Sequence, residues 1–441
     1  MRLPASSATI LVLLTLAACA GDAPPVRNAA TVWDSAGIQM VENTEPAWED
    51  GQGWRLAAEP SVRIGGPAGP PHVAFGYAHG AYRLSDGRLV VADRQTNLIH
   101  WYDSTGAHLM SAGGRGGGPG EFTQLYRLRK MPGDSLLALN PATLTSVFSP
   151  EGEFVRRFSF DVVPGRGNIW WTGYLGEGTF VALSLQREGT VEASPPADLP
   201  PNTEHARFRI PERPTFYRDT LLHFFYTPQG EFIDSVVKLP GQWLSQAPIF
   251  PPAPAYAYGH DVWYHSPGDK VEIRTLRSLA RAAQANSEEP RQLLRLERIV
   301  RRPPLHDITF TEARKESYFE GERNRYRQLL DANPGIGIDL AAMERRWAEQ
   351  EFPATIPAHG RLMFADPDGN LWLQEYDTAP EEAQRWSVFD AGGQWLGVVT
   401  TPARFTVTDI GTDHVVGLGR DDLDVQYLEV YPLIKAAAGS G

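Results

Sequence analysis

Three features of the 441-residue sequence predict an all-β fold: a six-bladed β-propeller of four-stranded antiparallel blades, with a small helical insertion between blades four and five. A turn rich in glycine and aspartate recurs six times. A motif of an aromatic residue followed four positions later by glycine recurs alongside it. The composition, with 42 Gly, 36 Pro, 12 Trp and 10% aromatics, suits many short strands joined by tight turns.

The repeat is clearest over residues 80–113. A short strand pattern to Leu84 turns at Ser85-Asp86-Gly87 and returns through Arg88 to Ala92. The polar stretch Asp93-Arg94-Gln95-Thr96-Asn97 follows. Leu98 to Tyr102 alternates apolar and polar residues, Asp103-Ser104-Thr105-Gly106 turns the chain, and residues 108–112 make a fourth strand. Turns of this kind supply the positive φ that hairpins require.

The first turn recurs as Pro132-Gly133-Asp134, Gly176-Glu177-Gly178, Gly259-His260-Asp261, Asp366-Pro367-Asp368-Gly369 and Gly411-Thr412-Asp413. The aromatic–glycine pair stands at Tyr102/Gly106, Phe148/Gly152, Tyr226/Gly230 and Phe389/Gly393. The closest copies lie about 42–46 residues apart, the length of a propeller blade. Blades are expected to start near Gly80, Gln124, Ile169, Ala253, Arg361 and Arg404. The last has only three strand patterns, so a strand from the N-terminal side must close the ring. Residues 60–65, or the apolar stretch 37–41, can do so, and closure hides sheet edges.

Residues 80–122 resemble the NHL-type repeat, with Arg88-Leu89-Val90-Val91-Ala92-Asp93 as its second strand. The run Gly113-Gly114-Arg115-Gly116-Gly117-Gly118-Pro119-Gly120-Glu121-Phe122 is similar to the linker of bacterial six-bladed propeller lipoproteins. The similarity is strong over 60–160, moderate over 361–433 and weak between. It implies that the connections between second and third strands share one face with those between blades. The irregular segments 186–219, 241–252 and 303–357 then fall on that face. The last contains helix signals: Thr309-x-x-Glu312 as a capping box, Asn333-Pro334-Gly335 as a stop, and Asp339 as a second cap. Such a hairpin is either a lid over the channel or a decoration on one blade.

At the N-terminus, Arg2 precedes a short apolar run over residues 8–16, too short to span a bilayer and suited to a secretory signal. It ends in Leu16-Ala17-Ala18-Cys19, which looks like a lipobox with Cys19 as the lipidated residue. Residues 1–18 are then a signal peptide, 19–36 a lipidated tether and 37–435 one propeller domain. Dual acylation makes such an anchor stable. Localisation in the cell envelope follows, with the membrane as one partner. Cys19 is the chain's single cysteine, which excludes intramolecular disulfides. The net charge of −12 argues against nucleic acid.

Of the site candidates, Asp93, Asn97, Asn140 and Glu375 sit at second-strand ends near the elaborated face, and His79 precedes an inner strand and can face the channel. Arg115 lies in the glycine run, which is either a tight crossover between blades or an anion site made by its backbone N–H groups and Arg115. A turn or packing role competes with each. The glycine run lacks a phosphate-loop register, no H-E-x-x-H pair exists, and G-x-S-x-G is absent. Asp366-Pro367-Asp368-Gly369-Asn370 departs from a calcium loop and reads as a turn. The expectation is a monomeric scaffold that binds an envelope protein, peptide or glycan. No cofactor is expected, though a divalent cation such as calcium stays open. The resemblance implies the alternative, a metal-dependent lyase or lactonase at the channel mouth.

Overall fold

The computed structural model describes residues 30–140, 144–161, 169–175, 179–186, 216–245, 252–259, 261–278, 294–333, 339–348, 354–376 and 383–435. They form six antiparallel sheets. Blade one comprises Ala78–Arg83, Leu89–Asp93, Leu98–Tyr102 and His108–Gly113. Blade two comprises Arg127–Lys130, Leu136–Leu139, Leu144–Phe148 and Phe154–Ser159. Blade three is Ile169–Leu175, Thr179–Gln186, Phe216–Tyr226 and Phe232–Ser245; blade four is Ala255–Tyr258, Val262–Ser266, Glu272–Ser278 and Leu294–Arg301. Blade five is Met363–Ala365, Leu371–Gln374, Ala383–Phe389 and Trp395–Ala403. Blade six supplies Phe405–Ile410, His414–Arg420 and Gln426–Ile434. The expected starts agree to within about three residues.

Val62–Ile64 closes the ring by pairing antiparallel with the last strand, Leu428 opposite Ile64 and Val430 opposite Val62. Of the two segments proposed for closure, this is therefore 60–65. The other lies elsewhere: Ile38–Asn43 runs parallel to the outer strand of blade four, with Val41 opposite Val300. Ala30–Ser35 pairs back onto it through a turn at Ala36 (φ 54°) and Gly37 (φ 81°). Blade four thereby becomes six-stranded. The end of the stretch expected to be tether is thus a strand of the propeller's own sheet.

The aromatic–glycine motif has a common cause. In the turns after Tyr102, Phe148, Tyr226 and Phe389, the glycine N–H donates back to the carbonyl three residues earlier, at Asp103, Ser149, Thr227 and Asp390. The glycines adopt φ of 94°, 86°, 89° and 90°, which a side chain would strain. The residue that opens the turn accepts backbone N–H groups on its side chain, as Asp103 Oδ1 does from Thr105 and Ala107. Blade six repeats the device with Asp421 as acceptor and Asp424 (φ 64°) in the glycine position.

The core lies between blades. Six apolar clusters each span one junction. Trp101 and Phe122 mark the junction of blades one and two, Phe160 and Phe180 that of two and three, and Trp263 and Phe225 that of three and four. Phe389 and Val300 join four to five, Trp386 and Phe405 join five to six, and Leu428 and Tyr102 join six to one.

The insertion holds α1 (Glu312–Ala332) and α2 (Leu340–Ala348). The cap of α1 differs from expectation: Thr311 Oγ1 accepts from Arg314 N at 3.3 Å, so Glu312 is the first helical residue. Thr309 instead bridges to Thr355. Threonine caps equally well at either position, and the bridge claims the earlier one. Asp339 Oδ1 caps α2 through Ala342 N (2.9 Å), as expected. Phe319 packs with Phe310, Tyr318, Tyr326, Leu340 and Met343, an apolar cluster built from the insertion's own residues.

Candidate functional site

The connection between the second and third strands of blade one meets the crossover from blade one to blade two on one face. Between them opens a cavity of about 490 Å³. Its walls are Tyr77, just before the innermost strand; Arg94, Gln95 and Asn97 from the connection; and Arg115, Thr123 and Gln124 from the crossover.

Asp93 builds one wall indirectly. Its Oδ1 accepts from Tyr77 N (2.9 Å) and Gln95 N (3.0 Å), and its Oδ2 from Gly76 N (3.2 Å) and Thr96 Oγ1 (3.1 Å). The side chain is fully buried and its lone pairs are engaged. Asn97, at φ 60°, accepts from Leu125 N on Oδ1 (2.7 Å), while its carbonyl accepts from Gly114 N (2.7 Å). It therefore locks the connection onto the crossover. Asn140 does the equivalent in blade two, where Oδ1 accepts from Gln124 N at 3.3 Å. His79 Nε2 donates to Leu125 O at 3.1 Å, and burial lowers its pKa, so the ring is neutral near pH 7.

The glycine run is a built crossover. Gly113 passes so close to the connection that a Cβ there would meet Asn97 O at 2.6 Å. The N–H groups of Gly114, Gly116 and Gly118 donate to Asn97 O, Phe122 O and Glu121 Oε2, and Arg157 Nη2 donates to Glu121 O (2.9 Å). These N–H groups are engaged within the protein. Arg115 projects from the run as an exposed side chain on the cavity wall.

Arg94 is the main feature that the sequence reading passed over. Its guanidinium lies 5.8 Å from the Tyr77 ring centroid and 5.2 Å from that of Tyr126. Gln124, with its amide oxygen turned towards it, accepts from Arg94 Nε at 3.0 Å. The available signal was a basic residue in the polar stretch already placed on the elaborated face.

Of the six candidates, Asn97 and Arg115 line the cavity, and Asp93, His79 and Asn140 brace its walls. Glu375 lies elsewhere, buried against Arg302 Nη2, which also donates to Ser387 Oγ at 2.8 Å. Burial raises the Glu375 carboxyl and lowers the Arg302 guanidinium, and their mutual attraction opposes both shifts. The Arg302 guanidinium also stacks 4.9 Å from the Trp395 ring.

A metal centre built on Asp93, Asn97 and Glu375 does not fit these residues. Asp93 and Glu375 are engaged separately, and among the described residues no three of His, Cys, Asp and Glu gather as a metal site. Asp366 accepts from Asn370 N (2.8 Å), Asn370 Nδ2 (2.9 Å) and Trp372 Nε1 (3.1 Å), the hydrogen bonding of a turn. One Ser–His contact was not anticipated: Ser266 Oγ lies 2.7 Å from His359 Nε2, which also accepts from Gly268 N (3.1 Å). Both side chains are buried, and burial pushes His359 down to about 4. The pair fastens the segment after blade four's second strand.

Cys19 and the expected tether up to residue 29 lie outside the described residues, as do most of the 186–219 loop and part of 241–252. Among the described residues no helix is long and apolar enough to cross a membrane.

No family model and no curated protein matches the chain. Among solved structures it is similar to a putative exported protein from Bacteroides fragilis, at 9% identity and a TM-score of 0.42, over 89% of this chain and 99% of that one. It is also similar to a gluconolactonase from Xanthomonas campestris, at 12% identity and a TM-score of 0.37, over 94% and 98%. A calcium-binding regucalcin from Agrobacterium tumefaciens matches at 10% identity and a TM-score of 0.37, over 86% and 95%. Likeness at this level bears on no particular ligand or reaction.

Proposed function

We propose that this chain is a lipid-anchored propeller of the cell envelope that acts as a binding scaffold, with its ligand seated in the cavity between blades one and two. The observation that carries the reading is the cavity itself. It sits where two connections meet, its walls are fixed by Asp93, Asn97 and Asn140, and its lining offers polar and aromatic groups. Preformed concave sites with a few convergent polar groups are the usual form of small-ligand sites. The Leu16-Ala17-Ala18-Cys19 sequence supports the envelope location and the anchor. An envelope protein, peptide or glycan remains the class of partner.

The test is a melting-temperature screen of the full-length protein in detergent against envelope-derived metabolites and glycan fragments. Thr123→Trp, from an exposed position on the wall, fills the cavity. A ligand at 100 times its Kd stabilises by about 2.7 kcal/mol, which such a screen detects. The expected result is at least one stabilising ligand whose effect disappears in Thr123→Trp. A stabilising ligand that acts equally on the variant would place the site elsewhere.

A further inference from the structure

We propose that the cavity takes a ligand bearing an oxyanion (carboxylate, phosphate or sulfate) held between Arg94 and Arg115. This rests on the cavity being the binding site and adds the chemical class of what it binds.

The charge of the site runs against that of the molecule. The chain carries −12 overall, yet the lining includes two arginines and no carboxylate. Several arginines elsewhere face a carboxylate, among them Arg63 with Glu429 (3.2 Å), Arg88 with Asp86 (2.6 Å), Arg277 with Glu297 (2.7 Å) and Arg301 with Glu272 (2.9 Å), while others, such as Arg157, are held by backbone carbonyls. Among the described residues, Arg94, Arg115 and Arg127 form no ion pair. Asp93, next to Arg94 in sequence, directs both oxygens at donors of its own wall.

The cationic groups are also gathered. The Tyr126 ring lies 5.2 Å from the Arg94 guanidinium and 5.8 Å from that of Arg127. Arg129 follows one turn of the strand's pleat later and donates to Tyr82 Oη at 3.3 Å. Burial above all, and the nearby Arg129, lower the Arg127 guanidinium's affinity for its proton, and Tyr126 and Tyr82 act in the opposite direction.

The shape of the donors fits the same conclusion. A guanidinium presents a planar fork that matches carboxylate, phosphate and sulfate, and its hydrogen bonds to them are about twice as strong as neutral ones. Arg94 is pre-oriented by two aromatic rings and the Gln124 amide, so little side-chain entropy is lost on binding. Gln95 and Thr123 add neutral partners, and half-exposed Tyr77 offers a ring face to the uncharged part of a ligand. Two sources of that chemistry are a free inorganic anion and an acidic sugar.

Titration calorimetry on the full-length protein in detergent separates these. The probes are phosphate, sulfate, digalacturonate and neutral galactobiose, at low and at about 0.3 M salt. An anionic probe is expected to bind, to weaken at least tenfold with salt as screening shortens the reach of the charges, and to weaken at least tenfold in Arg94→Gln and in Arg115→Gln. Phosphate or sulfate alone identifies an inorganic anion; digalacturonate alone identifies an acidic glycan. Arg115 is exposed, so Arg115→Gln carries the test even if Arg94→Gln disturbs Tyr126. Absence of binding by all three anions overturns the proposal. So does galactobiose binding as tightly as digalacturonate; if Thr123→Trp abolishes that binding, the cavity stands and only the anion falls. Binding unaffected by Thr123→Trp overturns both readings.

Discussion

Glu375 and Arg302 bury opposite charges at the same point, each with almost no exposed surface. Desolvating two ions costs several kcal/mol per ion, repaid only while each faces the other. Glu375→Ala leaves Arg302 buried and unpaired, and a loss of about 3–5 kcal/mol of stability is expected. Chemical denaturation measures it, and replacing both residues with apolar ones should recover most of the loss. A small effect from the single variant would mean that the pair is solvated. The histidines set a second residue-scale expectation. His100 and His359 are pushed down to about 4 by burial, whereas in the unfolded chain each titrates near 6.5. As pH falls, the unfolded chain takes up protons first. Their contribution is therefore complete above about pH 6.5 and is lost progressively down to about 4. Glu272 titrates lower still. Burial works against its charge, but Lys270, Arg274 and Arg301 hold the carboxyl at about 2, so its contribution is lost only below the range of a free carboxyl. Urea midpoints should thus decline already between pH 7 and 4.5, and a flat profile over that range would show the two rings to be solvated.

At the scale of elements, the turns were legible because their chemistry is local. Asp103, Ser149, Thr227 and Asp390 each organise a turn from within five residues, so the spacing alone located the blades. The hairpin of Ala30–Ser35 and Ile38–Asn43 was not, because its place is set by pairing with Leu294–Arg301, more than 250 residues away. The same distinction governs the site. Asn97 and Arg115 stood out within their own segments, whereas Arg94 gained meaning only when Tyr126 and Gln124 folded against it. Glu375 was placed correctly at a strand end, but its partner Arg302 comes from the preceding blade's exit. Closure by Val62–Ile64 is the element on which the ring depends most. Ile64 is buried at the junction of blades six and one, beside Leu428 and Val91. Ile64→Ala should cost about 2–5 kcal/mol. Removing residues up to 65 would also expose the backbone edge of Gln426–Ile434, and edges of that length template association. Light scattering on the truncated chain should report aggregation; a truncated chain that stays monomeric would show the ring to be stable open.

On the scale of the whole molecule, the edge of blade four is one of several places where large apolar side chains are exposed, Leu109, Val155 and Leu423 being others. The outermost strand of blade four carries Val32 and Trp33 exposed at 53% and 43% on an unpaired edge. Cys19 precedes that strand by 11 positions, a distance of at most about 40 Å even for fully extended chain. An anchor on Cys19 would join the propeller through the edge of blade four, while the cavity between blades one and two lies across the ring from it. The arrangement suits a scaffold that must reach ligands from the aqueous side. Two sources of membrane association can be told apart by mutation, the proposed acylation of Cys19 and the apolar edge. Lipidation with two or more chains gives stable attachment, whereas two exposed apolar residues contribute only a few kcal/mol. Cys19→Ser should therefore move the protein from the detergent to the aqueous phase and leave the signal segment uncleaved at the lipobox. Trp33→Ser in the otherwise unaltered chain should leave it in the detergent phase. If Cys19→Ser stayed in the detergent phase with unchanged processing, the lipobox reading would be wrong, and loss of partitioning on adding Trp33→Ser would assign the attachment to the edge strand.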